Sequence, residues 1–276
     1  MNENNLDYLK NSLKYLGFGD KLNKVLESAI SQELPKFTIS LNNEVNNQSK
    51  EKQGQKDFMR YDINFSKSNE SDMYFLNGYH AKLEKPDAPS REHTFNLSQN
   101  NWITAKEAYN LLSGRSINKD IPRREEGAEK VNVWMKLDLE VKDARNNFPA
   151  RYFYPNYGFD AEQTLAKYPL KQPDEKQKEE MLNAFRKGDL VQVEVKLNGK
   201  LQPAYVAANP EMKAMDFFDQ KLQPIHSSKL LPEQGKEAKE SKVLVVDEKA
   251  SAGINKEDKP WEQAPEEQKN SKSVGR

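Results

Sequence analysis

Apolar side chains alternate with polar ones over several short segments, and this period of two constrains the fold more than any other feature. Successive side chains of a β-strand point to opposite faces, so alternation predicts strands with one buried and one wet face. Such strands are typical of antiparallel sheets. The alternating sets are Phe37, Ile39, Leu41; Met59, Tyr61, Ile63, Phe65; Met73, Phe75, Tyr79, Ala81, Leu83; His93, Phe95, Leu97; Val131, Val133, Met135, Leu137, Leu139, Val141; and Val191, Val193, Val195, Leu197.

The dipeptide Asn198-Gly199 follows the last of these sets and predicts a β-hairpin. A two-residue loop would place Val193 opposite Ala204, whereas a three-residue loop with a bulge would place it opposite Tyr205. The longer loop pairs apolar residues with apolar residues more completely, so the sequence favours that register.

Helical spacing of leucines over residues 6–16, a break at Gly17-Phe18-Gly19 and a second apolar face beginning after Asp20 predict an N-terminal helical hairpin. Further helices are predicted after the capping residues Thr104, Asp160 and Asp174; the first ends before Gly114, the second covers residues 161–167, and the third ends before Gly188. Strands and helices together predict an α+β fold in which antiparallel β-meanders carry helices packed on one face.

Three regions are predicted along the chain. Residues 1–115 form a helical hairpin with an antiparallel sheet, and residues 116–226 form a second α+β unit that ends in a β-meander. The two units either have separate cores or share one. Residues 227–276 are rich in Gly, Lys, Glu, Ser and Gln and form a disordered charged tail. Residues 104–141 and 174–206 both pass from a helix through a glycine to strands, which indicates either an internal repeat or a chance similarity.

The composition excludes several classes of protein. Lys+Arg and Asp+Glu both number 43, so the balanced charge argues against strong non-specific binding of nucleic acid. The charged connection at residues 115–130 does not change this, because residues 115–151 together hold nine basic and seven acidic residues, an excess of only two positive charges. Without cysteine the chain has no disulfide, thiol nucleophile or thiolate metal site. No apolar run is long enough to span a membrane, and the polar N-terminus is unlike a secretory signal, so we expect a cytoplasmic protein.

No motif predicts catalysis, a cofactor or a metal. Phosphate-binding glycine loops and nucleophile motifs are absent from the sequence. His80 and His93 lie on successive predicted strands, but the alternation places their rings on opposite faces of the sheet. Asp138 and Glu140 share a face with Lys136, which is typical of a solvated ladder of charges.

The most unusual stretch is aromatic and begins with a basic residue. Its candidate partner-binding residues are Arg151, Tyr152, Tyr154, Tyr157 and Phe159. Aromatic rings behind an arginine are able to stack on nucleobases or to anchor a protein interface, and they are also typical of a strand end packed in a core. Trp261, within Pro260-Trp261-Glu262 of the tail, is a second candidate docking residue.

Several stretches resemble an uncharacterised family encoded on mobile and conjugative elements of Bacteroidetes, and they cover about residues 1–225. They are Asn5-Leu6-Asp7-Tyr8-Leu9-Lys10, Leu16-Gly17-Phe18-Gly19, Ser71-Asp72-Met73-Tyr74-Phe75, Thr104-Ala105-Lys106-Glu107-Ala108-Tyr109-Asn110-Leu111-Leu112 and Ala208-Asn209-Pro210-Glu211. Residues 111–119 and the following strand are also similar to a small domain of unknown function found near plasmid-type topoisomerase and mobilisation proteins. The resemblance implies a genomic setting and no chemistry.

Three functions are therefore weighed. The leading hypothesis is a non-enzymatic cytoplasmic accessory protein of a mobile element that binds a macromolecular partner, most readily a protein, in conjugation, DNA processing or counter-defence. The second is a nucleic-acid-binding module that uses the aromatic stretch at residues 151–159. The third is an enzyme of unfamiliar type, whose pocket no sequence pattern would reveal.

Overall fold

The structure is a computed structural model, and it describes residues 2–46, 55–97, 102–122, 129–171, 173–197, 199–226 and 229–230. Five α-helices and eleven strands in these residues form an α+β fold with three antiparallel sheets. The predicted α+β class, the antiparallel meanders and the N-terminal pair of helices are confirmed. None of the described helices has the length and apolar character needed to span a bilayer.

The elements alternate between helical and strand-rich regions. The helices are α1 (Glu3–Tyr15), α2 (Asn23–Ser31), α3 (Ala105–Leu112), α4 (Ala161–Leu165) and α5 (Glu175–Arg186). The strands are β1 (Lys36–Asn46), β2 (Lys56–Lys67), β3 (Tyr74–Lys85), β4 (Ala88–Asn96), β5 (Ile117–Ile121), β6 (Val131–Leu137), β7 (Ala150–Phe153), β8 (Val191–Leu197), β9 (Lys200–Asn209), β10 (Ala214–Phe218) and β11 (Pro224–Ile225).

The first sheet is a four-stranded meander in the order β1-β2-β3-β4. One face is apolar and packs against α1, α2 and α3. Two buried tyrosines tie this face to the start of α3, since the hydroxyl of Tyr61 donates to the carbonyl of Ala105 over 2.8 Å and that of Tyr79 donates to the carbonyl of Ile103 over 2.6 Å. The sheet and α3 therefore hold each other in a fixed orientation.

A β-bulge in β3 overturns one part of the predicted pattern. The pairing of β2 with β3 shifts between Asn64 and Phe65, so Asn64 faces Gly78 while Phe65 faces Leu76. A Cβ atom on Gly78 would lie 2.4 Å from the carbonyl oxygen of Phe95, so only glycine fits at this position. The extra residue changes which side chains point inward. Met73 and Phe75, which the alternation places in the core, therefore point to the surface.

The second half of the chain forms two smaller sheets, in the orders β5-β6-β7 and β11-β10-β9-β8. In the β8–β9 hairpin Val193 faces Ala204, so the preferred longer loop is wrong and the two-residue alternative is correct. In the observed register Val195 faces the polar residue Gln202, yet the Val195 side chain is fully buried, at 0% exposure. Burial of this side chain therefore does not require an apolar residue opposite it. The charged connection at residues 115–130 contains β5, a strand that the sequence analysis missed.

Two hydrophobic clusters fill the interior, and β6 contributes to both. Met135 and Leu137 pack in the first cluster with the four-stranded sheet, α1, α2 and α3. Trp134 points to the opposite face and packs in the second cluster with α4, α5 and the β8–β10 meander. Leu230, at the predicted start of the tail, is 2% exposed in the second cluster, whereas residues 231–276 lie outside the described part of the chain.

Helices α3 and α5 begin and end as their sequences predict. Thr104 and Glu107 form a reciprocal capping box at α3, and Asp174 and Gln177 form one at α5. Helix α2 differs from the prediction, because residues 20–22 form a separate 3₁₀ turn. The predicted cap, Asp20, is the first residue of this turn, and the α-helix begins at Asn23 without a side-chain cap.

Candidate functional site

The predicted aromatic stretch is divided between core and surface. It follows β7 into a 3₁₀ turn at Pro155–Tyr157. Phe153 is 9% exposed in the second cluster, and the ring of Phe159 packs edge-on against Trp134 with centroids 5.3 Å apart. Phe159 therefore serves the core, as the core interpretation of this stretch predicts.

Arg151 lies in a network of ion pairs. Its guanidinium bridges the carboxylates of Asp138 and Glu211, and Lys136 Nζ lies 3.1 Å from Glu211. The hydrogen bond from Arg151 lowers the pKa of the Asp138 carboxyl group, and that from Lys136 lowers the pKa of Glu211. The two carboxylates already balance the charge of the guanidinium, although the Arg151 side chain is 51% exposed.

The three predicted tyrosines are partly exposed but do not form one platform. Tyr152 is 36% exposed and lines a small cavity of about 230 Å³ together with His93. Tyr157 is 38% exposed, and its hydroxyl donates to the carbonyl of Glu211 over 2.9 Å. Tyr154 has the highest exposure of the three, at 47%.

The remaining predicted candidate, Trp261, is outside the described residues. The prediction that Trp261 is a docking residue therefore remains untested by the described part of the chain.

A different surface carries the two most exposed tyrosines among the described residues, Tyr8 and Tyr15. A groove of about 890 Å³ runs between α1, β5 and the start of β6. Its lining residues are Tyr8, Asn11, Ser12, Tyr15, Trp102, Asn118, Lys119, Asp120, Lys130, Asn132 and Arg186. We call this the aromatic groove.

Helix α1 presents two tyrosines to the aromatic groove because its leucines take the opposite face. Tyr8 and Tyr15 lie seven residues apart, which is two helical turns, and are 59% and 65% exposed. Tyr15 meets Trp102 edge-to-face, with ring centroids 6.0 Å apart. Burial of the leucine face thus fixes the outward direction of both tyrosines.

Lys119 anchors the wall of the aromatic groove. Its ammonium group donates to the carbonyl of Trp102 over 2.7 Å and lies 2.9 Å from the carboxylate of Glu107. Asn118 and Asn132 exchange side-chain hydrogen bonds across β5 and β6, over 2.7 and 2.9 Å. Since β5 is the outer strand of its sheet, three consecutive residues of this strand, 118–120, line the groove.

A second groove of about 690 Å³ adjoins the first and shares Tyr8 and Trp102 with it. Met73 and Phe75 line it, and they are 39% and 50% exposed. Asn5 fixes this segment, because its side-chain amide donates to the carbonyl of Tyr74 over 3.0 Å and accepts from the same residue's N–H over 2.8 Å. We call this the apolar groove, and its described lining includes no charged side chain.

Sequence reasoning placed Met73 and Phe75 in the core and so missed the apolar groove. The β-bulge at Gly78 turns them outward, and a glycine inside an alternating strand was the available signal. The tyrosines of α1 were visible in the helical pattern as residues off the leucine face. Their convergence with Trp102 depends on tertiary packing, which no local pattern encodes.

The ionisable groups of the interior form a separate cluster. Asp57 is 3% exposed, accepts a hydrogen bond from the Tyr109 hydroxyl over 2.9 Å, and lies 3.6 Å from Lys85 Nζ. Burial lowers the pKa of Lys85 and raises the pKa of Tyr109. None of these three residues lines the aromatic or the apolar groove, so the cluster is interpreted as a support for α3 on β2 and β3.

The two strand histidines point to opposite faces of the first sheet, as predicted. His80 faces Thr94, whereas His93 faces Ala81. His93 Nδ1 accepts the N–H of Phe148 over 3.2 Å, and burial lowers the pKa of His93 to about 4. Among the described residues, no group of three or more His, Asp or Glu side chains is arranged to hold a metal.

Comparison of the chain with protein-family models, with curated proteins and with solved structures finds no match.

Proposed function

We propose that this chain is a non-enzymatic binding protein that engages a macromolecular partner through the aromatic groove. In line with the resemblance described above, it acts in the cytoplasm as an accessory protein of a mobile genetic element, in conjugation, DNA processing or counter-defence. The observation that carries the proposal is the convergence of Tyr8, Tyr15 and Trp102 from separate segments on one open groove.

The chemistry of the groove supports binding of a large partner. Tyrosine, tryptophan and arginine are the residues that most often dominate the energy of protein interfaces. More than half of the surface of Tyr8 and Tyr15 is exposed to water, although rings of this size usually gain by burial. A partner that covers them would recover this apolar area without any rearrangement of α1.

The aromatic stretch is the alternative interface. Tyr154 and Tyr157 keep exposed rings, and Lys213 Nζ lies 4.6 Å above the ring of Tyr157. The groove is favoured because its aromatic side chains face a common cavity, whereas Arg151 is held by two carboxylates and Phe159 by the core.

Binding of nucleic acid is the second candidate function. Aromatic rings beside Lys130 and Arg186 are the side chains that bind single strands by stacking and charge. An enzyme of unfamiliar type has less support, since the buried cluster around Asp57 does not line either groove.

A pull-down from the native host lysate tests the proposal, with half of each sample treated with nuclease. The bait is the full chain, the Tyr8→Ser/Tyr15→Ser double variant, or the matched Tyr154→Ser variant. We expect proteins that survive nuclease on the wild-type bait, persist on Tyr154→Ser and are lost on the double variant. Circular dichroism and thermal unfolding establish that all baits are folded.

Each other outcome contradicts part of the proposal. Retention of the same proteins by the Tyr8→Ser/Tyr15→Ser bait, with loss on Tyr154→Ser, would move the interface to the aromatic stretch. Recovery of nucleic acid, with proteins lost after nuclease, would favour the second function. Recovery of nothing specific from any bait would refute partner binding as the activity.

A further inference from the structure

The two adjoining grooves differ in charge. The lining of the aromatic groove includes Lys130 and Arg186, both exposed. The guanidinium of Arg186 is oriented by a 2.8 Å hydrogen bond to the side chain of Asn183, one turn earlier in α5. Met73 and Phe75 line the apolar groove, in which no described side chain is charged. Tyr8 and Trp102 connect the two grooves, since both belong to both linings.

We propose, on the basis of the proposed function, that the two grooves together bind an amphipathic segment of a partner protein. This segment carries a large apolar or aromatic side chain and, a few residues away, acidic side chains. The apolar side chain packs between Met73 and Phe75, and the carboxylates pair with Lys130 and Arg186.

Charge complementarity selects this occupant. Aspartate or glutamate of a partner would form charge-assisted hydrogen bonds with Lys130 and Arg186. Asp120 is the one acidic side chain in the described lining of the aromatic groove, so it balances only part of this positive charge. Lys119 adds little attraction, because the carboxylate of Glu107 neutralises it at 2.9 Å. An acidic residue in the apolar groove would lose water without gaining a cationic partner, because the described lining offers asparagines but no lysine or arginine. The acidic part of the segment is therefore favoured in the aromatic groove and the apolar part in the apolar groove.

A single-stranded nucleic acid fits the same surface less well. Its phosphates repeat along the whole strand, so a groove that binds it normally supplies cations along its whole length. The described lining of the apolar groove supplies none, and a strand crossing both grooves would leave its phosphates near Met73 and Phe75 uncompensated.

The test selects ligands from a phage-displayed library of random peptides of about twelve residues, with the full chain as the immobilised target. We expect enriched peptides to contain an aromatic or large aliphatic residue together with Asp or Glu. The affinity of a fluorescein-labelled consensus peptide is then measured by anisotropy for each variant. An oligothymidylate of about fifteen nucleotides serves as the competing probe.

Matched variants test the cationic part and the apolar part of the site separately. Lys130→Glu/Arg186→Glu should weaken the consensus peptide by about tenfold or more, whereas Lys24→Glu/Lys36→Glu, with the same change of charge outside both grooves, should leave it within about twofold. Phe75→Ser should weaken it by a similar factor, and the control is Phe58→Ser, because Phe58 is 49% exposed and Phe75 is 50% exposed.

Several results would overturn the inference. It is refuted if selection yields no enriched peptide, or peptides without acidic residues, or a peptide whose affinity is the same for the Lys130→Glu/Arg186→Glu and Lys24→Glu/Lys36→Glu variants. Displacement of the peptide by oligothymidylate at comparable or lower concentration would assign the groove to nucleic acid. If the lysate partner depends on Tyr8 and Tyr15 but not on Lys130 and Arg186, this inference fails while the proposed function stands.

Discussion

Gly188 lies where the end of α5 meets the segment that follows α3, and its replacement tests this junction. The side-chain amide of Asn110 donates to the carbonyl of Lys187 over 2.6 Å, and Arg115 Nε donates to the carbonyl of Gly188 over 2.7 Å. A Cβ atom on Gly188 would lie 2.8 Å from the carbonyl oxygen of Ser116 and 3.0 Å from Asn110 Cβ. The backbone of Gly188 has a φ of +79°, in the left-handed region.

Gly158 offers a control with the same backbone angle, because its φ is also +79° and a Cβ atom there would meet nothing within 4 Å. Alanine at either position costs about 1–2 kcal/mol for the left-handed conformation and gains a few tenths from the unfolded chain. Gly188→Ala also forces apart packed atoms, which costs about 1–3 kcal/mol more. The two backbone effects cancel when the variants are compared, so the difference measures packing at the junction.

Urea unfolding of both variants, followed by circular dichroism and tryptophan fluorescence, gives the two free energies of unfolding. We expect Gly188→Ala to be less stable than Gly158→Ala by about 1–3 kcal/mol, with unchanged dependence on urea. Equal stability of the two variants would refute the close approach of Gly188 to Ser116 and Asn110.

Three further predictions concern the core. Because burial lowers the pKa of His93 from 6.5 to about 4, its neutral form stabilises the fold above pH 6.5, and this stability is lost as the pH falls through about 4. Urea unfolding at pH 7 and pH 4 should show His93→Gln removing up to about 3 kcal/mol of this acid sensitivity, and an unchanged pH dependence would contradict the burial of the His93 ring. Tyr109→Phe removes the hydroxyl that donates to the buried carboxylate of Asp57 and should lower the free energy of unfolding by about 1–3 kcal/mol, and a neutral effect would contradict that contact. Thr104→Ala removes the capping box of α3 and should cost about 1 kcal/mol by thermal unfolding; an unchanged melting temperature would contradict a stabilising role of the cap.

Local patterns predicted the elements whose burial follows a simple period. The leucines of α1, the inward side chains of β2 and both capping boxes lie where their spacing places them. These predictions succeed because the signal lies within one turn of helix or a few residues of strand.

The predictions failed where a distant contact decides the local structure. Gly78 accommodates the carbonyl of Phe95 from a neighbouring strand, and the resulting bulge reverses the direction of Met73 and Phe75. The aromatic groove depends on the approach of α1 to β5, which are far apart in sequence. The aromatic stretch was predicted as an interface from its composition alone. Phe159, which packs against Trp134, shows that composition does not distinguish core rings from exposed ones.

The central position of strand β6 determines when its backbone amides become accessible to solvent. Its two faces belong to different hydrophobic clusters, with Met135 in one and Trp134 in the other, and it is paired on both edges. Trp134 and Met135 are the residues paired with both β5 and β7, so their backbone amides reach solvent only when both clusters separate. In hydrogen exchange, these two amides should be among the slowest in the chain, and their exchange should follow global unfolding instead of local fraying.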